Sequence, residues 1–263
     1  KGYNDALLPP ALVSTPLGVF CSDAPYGDVE GSDGTMEIAV GRIPASSSTG
    51  AVAFVQKLIA YELARSTGPA SMLLLADNND SGGDFEADSE AFAGVVTSRF
   101  STTKAYLGAL GTAATRQQVL TALDSGLAGF NYAGHGALDR FTQEGVFTSA
   151  DVASLTNGTR APLVISMTCV IARYSEPGFP SLGETLLLHS RGGAVAVIGP
   201  VGLSSDYLAR ALDMALGRAW MAGSGLTLGE VWRTALIDYQ AQGHDPYLVR
   251  VYNIMGDPGT LLP

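Results

Sequence analysis

Two apolar runs in this chain each close on a reactive side chain. Gly129-Phe130-Asn131-Tyr132-Ala133 stops at Gly134-His135-Gly136, and Pro162-Leu163-Val164-Ile165-Ser166-Met167-Thr168 stops at Cys169. A thiol with a base beside it is the minimum equipment of a cysteine nucleophile. If the two runs are neighbouring parallel strands, both side chains emerge at one carboxyl edge, where open α/β sheets carry their sites. Taken singly, each residue has a plainer reading: a cysteine ending a strand is usually a small buried hydrophobe, and a lone histidine is usually structural. Their joint placement argues otherwise. His135 lies between two glycines, which suits a tight turn with room for a substrate backbone, and Cys169 runs into a polar loop rather than into more core. A free thiol has a pKa of about 8.5. An adjacent imidazolium would stabilise the thiolate, and His135 would then protonate the leaving amine. The backbone N–H groups of Gly136 and Cys169 are the expected oxyanion donors, each worth about 3 kcal/mol where such a donor is removed. No helix begins directly at Cys169, so its activation would rest on His135.

Further acids follow strand ends. The loop from Asp77 to Asp88 carries Asp77, Asp80, Asp84, Glu86 and Asp88. Asp77 is a candidate third catalytic residue, orienting His135. Alternatively, Asp77, Asn79, Ser81, Gly82 and Asp88 fall in the order of a calcium-binding loop, with Asp in place of the closing Glu and without the preceding helix. A solvated acidic surface loop is the plain alternative to both. A basic substrate side chain would need a buried or half-buried acid, and Asp88 and Asp206 are the candidates. Asp206 also fits the first turn of a helix. His189 and His244 read as surface or capping residues, and Cys21, Trp220 and Trp232 as core.

The elements that must position these residues alternate. Strands are expected at Met36–Ile43, Ser71–Ala76, Thr102–Leu107, the two reactive runs and Gly193–Gly199. Helices are expected from Ser46 to Arg65 with Val52, Val55, Ile59 and Leu63 inward, at Ser89–Arg99, and at Thr115–Ser125 with a Thr cap. Others are expected at Ser149–Leu155, from a Ser181/Glu184 capping box to Ser190, at Asp206–Met221 and at Thr227–Gln242. A last apolar segment spans Val249–Met255. Strands separated by helices give an α/β fold, a mostly parallel sheet with helices on both faces. Residues 1–35 read as an irregular lead-in with one hairpin strand, and residues 36–263 as a single domain. Of the 263 residues, 46% are hydrophobic and 15% charged, which supports a large core. The net charge of −10 argues against nucleic-acid and anionic-membrane partners, and no apolar run approaches the roughly 20 residues of a membrane span. Two cysteines are too few for a disulfide scaffold, and a bridged Cys169 could not attack. The chain begins at Lys1 and reads as a fragment or processed form.

Several segments together resemble the gingipain-type cysteine peptidases, peptidase family C25 of the caspase-like clan. They are Gly134-His135-Gly136 after an apolar strand, Ser166-Met167-Thr168-Cys169, Asp33 through Val40-Gly41-Arg42-Ile43-Pro44, Ser181-Leu182-Gly183-Glu184 followed by Gly192 to Gly199, and the closing Tyr252-Asn253-Ile254-Met255-Gly256-Asp257-Pro258. The resemblance runs from about residue 20 to the end, and the order of the segments carries it more than any one of them. It implies a caspase-like fold and endopeptidase chemistry with His135 as base, Cys169 as nucleophile and Asp77 on the loop where the family places an acid. It also implies an exported or cell-surface protein, no cofactor for catalysis, a structural calcium, peptide or protein substrates, and a preference of many members for Arg or Lys before the cleaved bond. One departure stands out: Ala137-Leu138-Asp139-Arg140 separate the Gly-His-Gly from Phe141, where the family often has an aromatic sooner. Two other readings stay open, a sortase-like transpeptidase on the same scaffold and a caspase-fold interaction module without activity. A Rossmann nucleotide binder lacks its Gly-x-Gly-x-x-Gly.

Overall fold

The computed structural model describes residues 8–31, 36–64 and 70–263. Asp33, Gly34 and Thr35 of the resemblance segment, Arg65 at the expected end of the first long helix, and residues 1–7 of the lead-in lie outside the described residues.

The chain opens with a hairpin, β1 (Ala11–Thr15) and β2 (Gly18–Ser22), and one helical turn, α1 (Ala24–Gly27). β3 (Gly41–Arg42), α2 (Ser48–Ala64), β4 (Ser71–Ala76), α3 (Phe85–Val96) and β5 (Ser101–Tyr106) follow. Next come α4 (Leu107–Leu110), α5 (Thr112–Ser125) and β6 (Gly129–Ala133), then three short strands, β7 (Gly136–Ala137), β8 (Arg140–Phe141) and β9 (Phe147–Thr148). The rest is α6 (Ser149–Val152), β10 (Leu163–Met167), α7 (Leu182–Leu188), β11 (Ala196–Pro200), α8 (Asp206–Met221), α9 (Leu228–Ala241), α10 (Tyr247–Val251) and β12 (Tyr252–Met255).

Seven strands form the central sheet in the order β3-β12-β11-β10-β6-β4-β5. Pairing is parallel throughout except between β11 and β12. Every residue of β6, β10 and β11 is buried, the signature of a sheet covered on both faces. Successive side chains of β6 show the two coverings. Phe130 meets Phe141 and Phe147 of the small sheet, whereas Asn131 reaches Asp213 on α8.

Three expectations need correction. Met36–Ile43 forms a strand only at Gly41–Arg42, because the N–H groups of Glu37 and Ile38 donate to Gly27 O and the Glu37 carboxylate turns back to the N–H groups of Val29 and Glu30. In α2 the buried residues are Phe54, Leu58 and Tyr61, while Val52, Val55, Ile59 and Leu63 are exposed. Both stripes have helical spacing, so periodicity could not choose between them. The choice follows Lys57, whose ammonium enters the body of the protein and donates to the carbonyls of Leu187, His189, Gly192 and Ala194. Thr115 does not cap a helix: it lies buried one turn inside α5, with its hydroxyl donating to Gly111 O at 2.8 Å. The apolar segment expected at Val249–Met255 is present, as the end of a helical turn and a strand, α10 and β12, the latter running antiparallel beside β11.

The described part of residues 1–35 is tied to the body rather than set apart. Asp23 takes two guanidinium bonds from Arg42, at 2.7 and 2.5 Å, and its N–H donates to Asn253 at 2.8 Å. Cys21 is buried, as are Trp220 and Trp232. Both cysteines are free thiols.

Candidate active site

β6 and β10 are parallel neighbours whose last paired residues are Ala133 and Met167. His135 and Cys169 each stand two residues beyond that rung, so they leave the sheet at the same level and the same carboxyl edge. Gly134 N–H donates to Met167 O at 3.2 Å, extending the ladder one step toward them. Gly136 is glycine for a steric reason: a Cβ there would lie 2.5 Å from Thr168 Oγ1 and 3.2 Å from Cys169 O. The His135 turn is thus pressed against the Cys169 backbone. Gly134, at φ +152°, is equally constrained, since a Cβ would meet Asp77 Cβ at 2.4 Å.

His135 is held twice over. Its N–H donates to Asp77 Oδ2 at 3.0 Å, and its carbonyl accepts from Thr142 N–H at 3.0 Å and from the Tyr132 hydroxyl. Its ring is gripped by other residues: Nε2 lies 3.1 Å from Asp80 Oδ2, Phe85 approaches edge-on at 5.2 Å, and Gly82 packs so closely that a Cβ would sit 2.9 Å from Cε1. The acid on the imidazole is therefore Asp80, while Asp77 fixes the main chain. Burial raises the pKa of Asp77, opposed by the N–H groups of His135 and Asn78. The Gly82 N–H, more than His135, holds Asp80 below the usual carboxylate range.

Cys169 is half-buried, and its Sγ lies 3.5 Å from Ser204 N, a donor, and 3.8 Å from Ser204 O, an acceptor. Burial pushes the thiol up, and the Ser204 N–H offsets part of that. Ser204 is in turn braced by Tyr252, whose hydroxyl lies 3.1 Å from Ser204 Oγ and 3.4 Å from Thr168 O. The closing Tyr-Asn segment thereby reaches the Cys169 edge. Val170 follows Cys169 at φ +49°, a region that costs a β-branched residue about 1–2 kcal/mol. Its N–H is fixed to Gly202 O at 3.0 Å. Thr142, which clamps His135 O, is the other positive-φ residue besides glycine among the described residues. Strain of this kind gathers at functional turns. The N–H of Cys169 makes no hydrogen bond among the described residues, as an oxyanion donor requires.

The remaining acids sort differently from the calcium-loop expectation. Asp77 faces His135, Asn79 bonds Asp84 and the Glu86 N–H, Ser81 is exposed, and Asp88 pairs with Arg210. Asp80 and Gly83 bridge the loop, and Asp84 caps α3. These local bonds send the ligands apart. Among the described residues no three or more His, Cys, Asp or Glu side chains gather to hold a metal. Asp77, Asn79, Ser81 and Asp88 do not fit a calcium ion in this arrangement.

Asp88 and Asp206 do come together. Each lies in the first turn of a helix, α3 and α8, and their carboxyls share a hydrogen bond. Burial, then the neighbouring Asp206 charge, pushes Asp88 up to about 6, and burial likewise raises Asp206. Gly83 seats on Asp206, where a Cβ would lie 2.5 Å from Cγ, and its neighbour Gly82 seats on His135. One loop therefore joins the acid pair to the imidazole, and Asp206 follows Ser204, the partner of Cys169, by two residues.

Sequence reasoning missed Asp80, Ser204 and Arg210. Asp80 was legible only as one acid among several in its loop. Ser204 and Arg210 carry no local signal, because their roles come from the packing of α8 and its leading loop against the Cys169 edge.

The sheet order, the mixed strand direction and a histidine level with a cysteine define a caspase-like α/β protein of the cysteine-peptidase class. The sequence matches the profile of peptidase family C25 over residues 1–263, and the chain belongs to that family. Its fold is similar to that of RgpB from Porphyromonas gingivalis, solved as a complex of its pro- and mature domains, with a TM-score of 0.82 and 20% identity over 95% of this chain and 62% of that one. It is equally similar to the Arg-specific cysteine proteinase gingipain R, with a TM-score of 0.82 and 20% identity over 95% of this chain and 61% of that one. Separase from Saccharomyces cerevisiae, solved with securin, shares the fold more distantly, with a TM-score of 0.53 and 16% identity over 83% of this chain and 14% of that one. The chain thus spans about three fifths of the gingipain chains. A search of curated proteins found no match.

Proposed function

We propose that this chain is the catalytic part of a cysteine endopeptidase. Cys169 gives its proton to His135 and attacks the scissile carbonyl carbon. The oxyanion is met by the N–H groups of Cys169 and Gly136. His135 protonates the leaving amine as the C–N bond breaks, and water then hydrolyses the thioester, restoring the thiol. The observation that carries this reading is the common level of His135 and Cys169 beyond the Ala133–Met167 rung, with Gly136 packed on the Cys169 backbone.

Asp77 positions the His135 main chain and Asp80 its ring. Asp88 and Asp206 are the subsite for a basic side chain before the cleaved bond. Supporting this are the burial of Asp88, the half-buried Asp206 packed against the His135 loop, and the description of gingipain R, similar in fold, as Arg specific. The same reading makes the protein an exported or cell-surface enzyme, which fractionation with a specific antibody tests.

Profiling a peptide library with the wild type and with Cys169→Ala under reducing conditions tests the proposal. Sequence-dependent cleavage by the wild type alone is expected, enriched after Arg or Lys. Cleavage by Cys169→Ala at the wild-type rate, or none by either protein, would sink it. An added amine and product masses separate hydrolysis from transpeptidation.

A further inference from the structure

Arg210 lies one turn after Asp206 on α8, and its Nε sits 2.9 Å from Asp88 Oδ1. The two partners differ sharply in exposure: the Arg210 side chain is 52% exposed and that of Asp88 8%. The guanidinium therefore reaches the acid from the solvent side. It lies over a pair of touching carboxyls that, through Gly82 and Gly83, adjoins the imidazole. A guanidinium laid on a buried carboxylate is the contact that an arginine substrate would itself make.

We propose that Arg210 is a resident counter-ion of the Asp88–Asp206 pair, occupying the place of a basic substrate side chain and setting selectivity by competing with it. This rests on the reading of the acid pair as a basic subsite. Because its head is half in water, Arg210 can swing aside into solvent. A substrate arginine, anchored by the rest of its peptide, then displaces it. A neutral side chain has nothing to offer the two carboxyls in exchange for the lost ion pair and leaves Arg210 in place. The resident cation thus raises the threshold for basic substrates while keeping the acid pair compensated when the site is empty.

The test measures benzamidine binding by calorimetry in the Cys169→Ala background, with Arg210→Ala, Arg210→Gln and Asp88→Asn added singly. Thermal melting serves as the folding control, and Arg210→Gln covers the case in which Arg210→Ala fails to fold. Removing Arg210 is expected to tighten benzamidine about fivefold, the upper range for an ion pair whose cation faces solvent. In the catalytically intact protein, the same change is expected to lower KM for an arginine peptide but not for its citrulline counterpart. If Asp88→Asn weakens benzamidine while both Arg210 variants bind it no tighter than the parent, the counter-ion role is overturned and the acid subsite survives. If Asp88→Asn leaves binding unchanged, or no protein binds, the subsite reading fails and takes the counter-ion role with it.

Discussion

Asp80 Oδ2 lies 3.1 Å from His135 Nε2, while the neighbouring Asp77 bonds the His135 main-chain N–H at 3.0 Å. Two acids of one loop thus divide the work, one on the ring and one on the backbone. The division is physical. Asp77 is buried and also meets Asn78 N–H and the Tyr132 hydroxyl, whereas Asp80 is exposed and is shaped by the Gly82 N–H.

Substitution should separate the two roles. Asp80→Asn is expected to lower kcat/KM roughly tenfold by loosening the imidazole, with the melting temperature unchanged. Asp77→Ala leaves buried donors without a partner and is expected to cost about 1–3 kcal/mol of stability as well as activity. Chemical denaturation alongside steady-state kinetics checks the split. Equal loss of stability in both variants would refute it.

Burial pushes the Cys169 thiol up, and the Ser204 N–H offsets part of that. Alkylation by iodoacetamide in the absence of substrate is therefore expected to rise with pH through an inflection above the free-thiol value of about 8.5. A rate already at its plateau near neutral pH would mean that His135 holds a thiolate at rest.

Asp88 titrates near 6 in the folded protein, above its ordinary value of about 3.9, with Asp206, Arg210 and Asp84 as its charged neighbours. Between those values the folded chain holds a proton that the unfolded chain has lost, so the stability this group contributes is full below about 4 and is lost as pH rises through about 6. Asp88→Asn should flatten that segment of the stability–pH curve. Ionisation runs the other way for selectivity: preference for a basic over a neutral peptide should grow as pH rises through about 6. An Arg preference that is constant from pH 5 to pH 8 would contradict the assignment.

Lys57 is expected to be a major tie between α2 and the segment from α7 to β11. Burial draws its pKa down to about 7, yet its four carbonyl acceptors all favour the charged form. Lys57→Met, which keeps the apolar stem and removes the donors, is expected to cost about 2–3 kcal/mol, read as a lowered denaturation midpoint with unchanged slope. A loss below half that value would show that the carbonyls find other donors.

Asp213 is buried and well above the ordinary carboxylate range because of that burial, and its oxygen accepts from Asn131 Nδ2 at 2.7 Å. Asn131 Oδ1 has no hydrogen-bond partner among the described residues. A protonated Asp213 would donate to it. Asp213→Asn supplies an N–H in the same place and is expected to fall within about 1 kcal/mol of wild type, while Asp213→Leu costs about 1–3 kcal/mol by orphaning Asn131. Equal destabilisation by both would show that the carboxyl is ionised.

The strand-ending pair was legible because it is a local pattern. An apolar run long enough for one strand, a glycine-flanked histidine and a cysteine before a polar loop are each readable over a few residues. The capping box at Ser181 was legible for the same reason, since side chain and backbone partner lie three residues apart. Less legible were choices between equivalent local options. Both stripes of α2 are apolar at helical spacing, and only the burial of Lys57 selects one. The acidic loop offers several carboxylates in a calcium-like order, and only the Asp80–Gly83 bridge and the Asp84 cap decide where each points.

The sequence by itself determined the alternation of strand and helix and the sheet edge to which His135 and Cys169 both belong. These follow from hydrophobic period and turn chemistry, which act between near neighbours in the chain. The tertiary structure alone decided which acid meets the imidazole, that Ser204 and Tyr252 brace the sulfur, and that Asp88, Asp206 and Arg210 converge. Those contacts join residues far apart in sequence, and they arise from the register of β6 on β10 and the packing of α3 on α8, which no local pattern encodes.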